Sequence, residues 1–312
     1  LRTPGMDGFQ LLDLRDYQAQ GSALIGLLNA FWDSKGLITP EKFRQSCNDV
    51  TLLLKMPKRT WKNQETFIGE VVIPNYSKHD LDDIHIYWDV LCDDHVVYAD
   101  SLELNRIPQG QVFSCGHINF PLNKFIKASK LDVRLEIPSL GITNEYDVWT
   151  YPEQVDDEQD KVIIAKSATP ELLKEIENGS IVLLVPDNTP DVERMTFSNP
   201  FWSTILFDYQ PKTMGLLCDP THPIFKEFPT DGYTNWQWWE LVSSASVARI
   251  NKTPSSYRPI LQVIDHPVRN DKLGAIMETR IGKGKLLICM LDILSAPEKR
   301  IVARQLKYSI LH

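Results

Sequence analysis

Hydrophobic and polar positions change period twice along this 312-residue chain, and the changes predict three regions. In the first, Phe9-Gln10-Leu11-Leu12-Asp13-Leu14 is a short apolar run of the kind a parallel sheet buries on both faces. Leu24, Leu27, Leu28, Phe31 and Trp32 then recur at helical spacing, and Gly36 supplies a stop. Gly8 to Gly36 therefore reads as one strand and one helix. A lone βα unit cannot bury its own faces, so it is expected to be the last piece of a larger barrel. Without barrel partners, the face of Leu24, Leu27, Phe31 and Trp32 must pack elsewhere or stand exposed, which favours self-association into a homo-oligomer. Thr39-Pro40 opens a second short helix through Phe43 and Cys47, with threonine as N-cap and proline in the first turn.

Lys55 to Asn63 is basic, proline-containing and aperiodic, and reads as a linker. From Thr66 the period is two. Ile84, Ile86, Trp88 and Val90 alternate with His85, Tyr87 and Asp89. Asp93-Asp94 marks a tight turn, Val112, Ser114, Gly116, Ile118 and Phe120 share one face, and Leu131, Val133, Leu135 and Ile137 oppose Asp132, Arg134 and Glu136. About seven short strands at this spacing, ending at Tyr146 to Tyr151, indicate an all-β sandwich of immunoglobulin-like architecture.

Gln154 to Asp160 is an acidic boundary, beyond which β and α patterns alternate. Val162 to Ala165 reads as a buried strand, Pro170 to Glu177 as a helix stopped by Gly179, and Ile181 to Val185 as the next strand. Met214 to Cys218, Pro259 to Ile264, Leu273 to Thr279 and Lys285 to Leu291 follow as strands, and Pro297 to Ile310 closes as a helix. This alternation predicts an α/β domain with a mostly parallel sheet and helices on both faces. The fold class is thus multidomain: a βα remnant over 1–54, a sandwich over 64–153 and an α/β domain over 160–312.

Composition excludes several functions. A net charge of -8 with no basic stripe argues against a nucleic-acid partner. No apolar run approaches the ~20 residues of a membrane span. The five cysteines, Cys47, Cys92, Cys115, Cys218 and Cys289, lie far apart without a CxxC pair, so neither a metal site nor a disulfide framework is expected, and no cofactor motif stands out. Gly282-Lys283-Gly284-Lys285 is flanked by strands and reads as a hairpin turn, not a phosphate loop.

The candidate chemistry is sparse. Asp13, Arg15, Asp16 and Gln20 would sit where a barrel strand ends and its loop begins, the place of barrel active sites. Their carboxylates and amides can hydrogen-bond sugar hydroxyls, while the alternative is an Arg15–Asp16 ion pair that shapes the loop. Trp236, Trp238 and Trp239 form the densest aromatic cluster. They can stack on sugar faces, but the three-residue steps Trp236, Trp239 and Val242 favour one packed helix face. Cys218 ends a strand near His222 but lacks the sharp elbow an activated nucleophile needs, and Asp219 would raise its pKa. His79, His85, His95 and His117 show no ligand spacing.

LRTPGMDGFQLLDLRDYQAQGSALIGLLNAFWDSKGLITPEKFR resembles the final βα unit of the catalytic barrel in bacterial enzymes related to glycoside hydrolase family 2. The resemblance continues through Leu54 to Arg59. It returns in Gly215 to Pro223, Phe228 to Asp231, Asn235 to Trp239 and Arg258 to Asp265. Such enzymes carry a β-sandwich and an amidotransferase- or flavodoxin-like α/β domain behind the barrel. The resemblance implies a parent that hydrolyses β-linked glycosides with two glutamates from earlier barrel strands. No residue here takes either role, so this chain is expected to lack glycosidase activity. It also implies a glycan partner met through the parent barrel, and a periplasmic or extracellular bacterial location. The rival readings are a non-catalytic carbohydrate-binding or interaction module and, more weakly, an amidotransferase-like hydrolase using Cys218.

Overall fold

The computed structural model describes residues 3, 5, 10–17, 26–155, 161–200, 207, 209–243 and 245–312. The chain divides into two compact units: residues 1–59, 65–123 and 130–148, and residues 60–64, 124–129 and 149–312.

The first unit opens with α1 (Pro40–Arg44), whose N-cap Thr39 accepts from the Lys42 amide as its sequence requires. In chain order the strands that follow are β1 (Leu53–Lys55), β2 (Thr60–Lys62), which belongs to the second unit, β3 (Thr66–Asn75), β4 (Leu81–Cys92), β5 (His95–Ile107), β6 (Gln111–Pro121), β7 (Ser129–Ile137) and β8 (Ile142–Tyr151), whose last three residues also belong to the second unit. One sheet has the order β1-β3-β6 and the other β2-β8-β7-β4-β5. Period-two strands bury one face each, so the two sheets close on Phe67, Ile86, Val90, Phe120, Val133 and Leu135, all essentially inaccessible. Phe120 is the hub: Phe67 stacks on it at 4.6 Å, Tyr98 at 5.0 Å and Trp88 at 6.1 Å. Asp93 and Asp94 both take left-handed φ in the two-residue β4–β5 turn.

Three expectations for the chain up to Tyr151 are corrected. Residues 60–62 of the expected linker form β2, and Lys55 belongs to β1, whose Leu54 is buried. Cys115 is an extra residue at a bulge, where Val71 pairs with Gly116 and Val72 with Ser114. The bulge resets the phase, so Cys115 points inward and Ser114 is exposed. The strand and helix expected over Gly8 to Gly36 are not formed by the described residues of that stretch. Leu11, Leu12 and Leu14 are exposed, residues 27–36 form turns and isolated bridges, and Phe31 and Trp32 are 79% and 62% exposed. A buried-strand pattern without flanking strands has no ladder partners to bury it. Phe9 and Leu24 lie outside the described residues.

The second unit contains β2, the Trp149 to Tyr151 end of β8, then β9 (Val162–Ala165), α2 (Pro170–Asn178), β10 (Ile181–Leu184), β11 (Val192–Arg194) and β12 (Thr213–Cys218). It continues with α3 (Trp239–Val242), β13 (Ser246–Arg249), β14 (Leu261–Asp265), β15 (Leu273–Ile281), β16 (Gly284–Cys289) and α4 (Ile301–Leu311). The mostly parallel sheet with helices on both faces is corrected here. In its eight-stranded sheet, among the described residues, only β9–β10 and β10–β16 pair in parallel. The β11–β13, β12–β14, β13–β15, β14–β15 and β15–β16 pairs are antiparallel. Among the described residues of this unit, only α2 and α4 exceed four residues, so helix is too scarce for two helical layers. The strands after Cys218 follow one another through hairpins and loops, and antiparallel pairing needs no helical crossover. β9 is an edge strand with Ile163 and Ile164 exposed, not a buried one.

α2 sets Ile176 against Val182, Leu184 and Leu286, while α4 sets Val302, Ala303 and Leu306 into the larger core with Trp149, Phe228, Trp238, Leu261 and Leu273. The β15–β16 hairpin is confirmed. Its Gly282 has φ 58°, and a Cβ there would lie 2.6 Å from the Glu177 carbonyl, so glycine is required where the turn presses on the end of α2. No helix among the described residues is long and apolar enough to cross a membrane.

Candidate functional site

Phe228 to Trp239 is built by short-range polar bonds that decide which aromatic rings turn inward. The Asn235 side chain accepts from the Gln237 amide, starting a 3₁₀ turn over Trp236–Trp238, and its own amide donates to Asp231 at 2.9 Å. Inside the turn, Gln237 Nε2 donates to the Tyr151 hydroxyl at 2.9 Å and to the Pro229 carbonyl at 2.7 Å. Trp238 Nε1 donates to Thr230 Oγ1 at 3.1 Å, and the indole meets Phe228 edge-on at 5.3 Å and Phe225 at 6.2 Å. Gly232 holds the preceding loop against β12. It has φ 80°, its carbonyl accepts from the Cys218 amide, and a Cβ would stand 2.8 Å from the Cys218 carbonyl.

The tryptophans therefore divide. Trp238 is fully buried, whereas Trp236 and Trp239 are 52% and 53% exposed, and Tyr233 in the loop before them is 53% exposed. The expected single packed face of Trp236, Trp239 and Val242 is corrected: Trp238, Leu241 and Val242 go inward. The sequence pattern assumed one continuous helix, but a 3₁₀ turn with three residues per turn precedes α3 and shifts the phase. Three-residue spacing puts Trp236 and Trp239 side by side on the outside, with Phe197 tilted against Trp236 at 5.1 Å. Two half-exposed indoles offer flat, electron-rich faces to the C–H face of a sugar ring.

The other candidates resolve differently. Asp16 is buried and structural: its Oδ1 accepts from the Gly26 amide at 3.0 Å and from Lys35 Nζ at 2.6 Å. The Lys35 hydrogen bond, with the Gly26 amide, holds its carboxyl below the ordinary value. The Arg15–Asp16 ion pair weighed from the sequence is thus replaced by Lys35–Asp16. The Arg15 guanidinium lies over the Trp32 ring at 5.2 Å instead. Asp13 sits in a left-handed turn conformation, and Gln20 lies outside the described residues.

Cys218 opens onto a cleft of about 360 Å³ with Asp219, His222, Arg258, Gln262 and Glu278. Burial, with Asp219 beside it, pushes the thiol up to about 12. Asp219 is occupied by Thr221, and His222 Nδ1 accepts from the Ile224 amide, so His222 serves the turn rather than the thiol. Alkylation of Cys218 at pH 8 is expected to lag an unperturbed cysteine by on the order of a thousandfold, read by site-resolved mass spectrometry. The exposed His79, His85, His95 and His117 join no metal-holding group among the described residues.

A family described as a domain of unknown function (DUF8487) matches residues 163–312, and a second (DUF8488) matches residues 65–152. No curated protein matches the chain. Among solved structures, a cycloisomaltooligosaccharide glucanotransferase from Paenibacillus sp., complexed with cycloisomaltoheptaose, is similar at 10% identity and TM-score 0.29, over 42% of this chain. The match spans 18% of that enzyme's length. A CARDB domain from Pyrococcus furiosus, in complex with di-metal ions, is similar at 11% identity and TM-score 0.25, over 33% of this chain and 94% of that domain. A domain of a putative cell surface protein from Methanosarcina acetivorans follows at 14% identity and TM-score 0.24, over 32% of this chain and 90% of that one.

Proposed function

We propose that this chain is a carbohydrate-related, non-catalytic module: the accessory region of a periplasmic or extracellular bacterial glycoside hydrolase related to family 2, acting on β-linked glycosides. On this reading the sandwich is of immunoglobulin type, and the two catalytic glutamates belong to a barrel outside this sequence. The observation that carries the reading is the division of labour in Asn235 to Trp239, a segment that bears the family resemblance. Gln237 and Trp238 are spent on the core, while Trp236 and Trp239 present two indole faces outward.

A sugar-stacking role separates from a packing role by experiment. Trp236→Ala and Trp239→Ala are expected to lower retention of the full chain in gels containing soluble β-glucan or xylan. Their melting temperatures should stay within about 2 °C of the parent, because half-exposed side chains contribute little to stability. Unchanged retention in both variants, or no retention of the parent on any neutral polysaccharide, would overturn the reading.

A further inference from the structure

The outer face of the sandwich carries a second concavity. It is a cleft of about 550 Å³, within the ~300–1,000 Å³ range of ligand sites. Its floor follows from strand register. Tyr87 of β4 stands between Glu136 of β7 and Ser101 of β5, and Asp89 stands between Arg134 and Ala99. The side chains at these paired positions share one face. The small Ala99 leaves the floor low, and Tyr87 rises from it 51% exposed.

One wall is the segment after α1, fixed from below: Asn144 Nδ2 donates to the carbonyls of Gln45 at 3.2 Å and Leu52 at 2.9 Å, and Lys42 Nζ pairs with Glu145 at 2.5 Å. Arg134 is locked on Asp89 by two parallel bonds of 2.7 and 2.8 Å, so its planar fork is held in place. Three carboxylates, Asp89, Glu136 and Glu145, line the cleft against one arginine, while Asp100 pairs with the buried Trp88 and so belongs to the other face of the sheet. Arg134 and Lys42 answer two of them, which leaves Glu136 beside Tyr87 with no cation paired to it among the described residues.

An aromatic face flanked by carboxylates and a planar guanidinium is the chemistry that reads a polyhydroxylated ring: the aromatic ring stacks on C–H bonds, and each carboxylate accepts from hydroxyl groups. The net negative lining repels anions. We infer that this cleft is a glycan-binding site for neutral oligosaccharides that rejects uronates and sulfated sugars. The inference rests on the carbohydrate reading above, but on a different unit and different residues.

The full chain, Tyr87→Ala, Glu136→Lys, and the Trp236→Ala/Trp239→Ala double variant are to be titrated with neutral cello- or xylo-oligosaccharides, with oligogalacturonate and with chitosan oligomers. Tyr87→Ala is expected to weaken neutral-sugar binding about tenfold, in the parent and in the double variant alike. Glu136→Lys is expected to admit oligogalacturonate, which the parent refuses. Circular dichroism melts should overlay for the parent and Tyr87→Ala. Binding by Tyr87→Ala equal to the parent overturns the cleft while leaving the tryptophan site standing. Parent binding only to oligogalacturonate, or only to chitosan, overturns the stated selectivity, and no binding to any sugar overturns both readings.

Discussion

Replacing Trp238 with alanine is expected to cost the second unit about 3–5 kcal/mol, whereas the same change at Trp239 costs less than about 0.5 kcal/mol. Adjacent tryptophans diverge this far because one indole is sealed and the other is half in water. Truncating Trp238 removes a fully buried ring from between Phe225 and Phe228 and leaves a cavity that the sheet behind it cannot collapse to fill. It also strips Thr230 of its indole donor. Trp238→Phe keeps part of the volume and loses only the hydrogen bond and some packing, so it should fall between. Urea melts of the variants check the order. A loss at Trp239 equal to that at Trp238 would mean that the outward ring is covered, and would remove the basis for reading it as a sugar platform.

The same segment shows how far sequence reasoning reached. Strands that bury one face and expose the other were legible, because alternation is a local property: β7 has every inward position where Leu131, Val133, Leu135 and Ile137 predict it. The N-cap Thr39 was legible for the same reason, and so was the hairpin at Gly282. What failed depended on partners. Parallel and antiparallel central strands read alike as apolar runs, so the alternation predicts a mostly parallel sheet where the β11–β13, β12–β14, β13–β15 and β14–β15 pairs are antiparallel. The bulge at Cys115 and the 3₁₀ turn at Trp236 each insert a one-residue change of phase that periodicity does not announce. Asp16 pairs with Lys35 nineteen residues on, a partner that no local rule supplies. The Tyr87 cleft was invisible because its residues come from four separate strands, and each looks like an ordinary solvated position.

The largest electrostatic effect is expected at Asp265, and it should depend on pH. Its carboxylate is nearly inaccessible, yet it accepts from the Asp271 amide at 2.7 Å, the His266 amide at 2.9 Å and Arg269 Nε at 2.9 Å. Burial pushes the carboxyl up, but Arg269 and the two amides outweigh it and hold the group below its ordinary value. Arg269 in turn reaches Glu193, and Arg249 bridges Asp191, Glu193 and Asp271, so one network ties β11, β13 and the loop after β14. Asp265→Ala therefore leaves buried donors unanswered, and about 3–5 kcal/mol should be lost at pH 7. The sign of the pH effect follows from the lowered value. Stability from Asp265 is fully present above the unfolded carboxyl's pKa of about 3.9, and is lost as pH falls through the lower folded value. The parent and Asp265→Ala should thus differ most at pH 6–7 and converge toward pH 2–3. Urea midpoints across that range test it. A gap that stays constant down to pH 2 would show that the carboxylate's charge contributes nothing and that the loss at pH 7 is only one of shape.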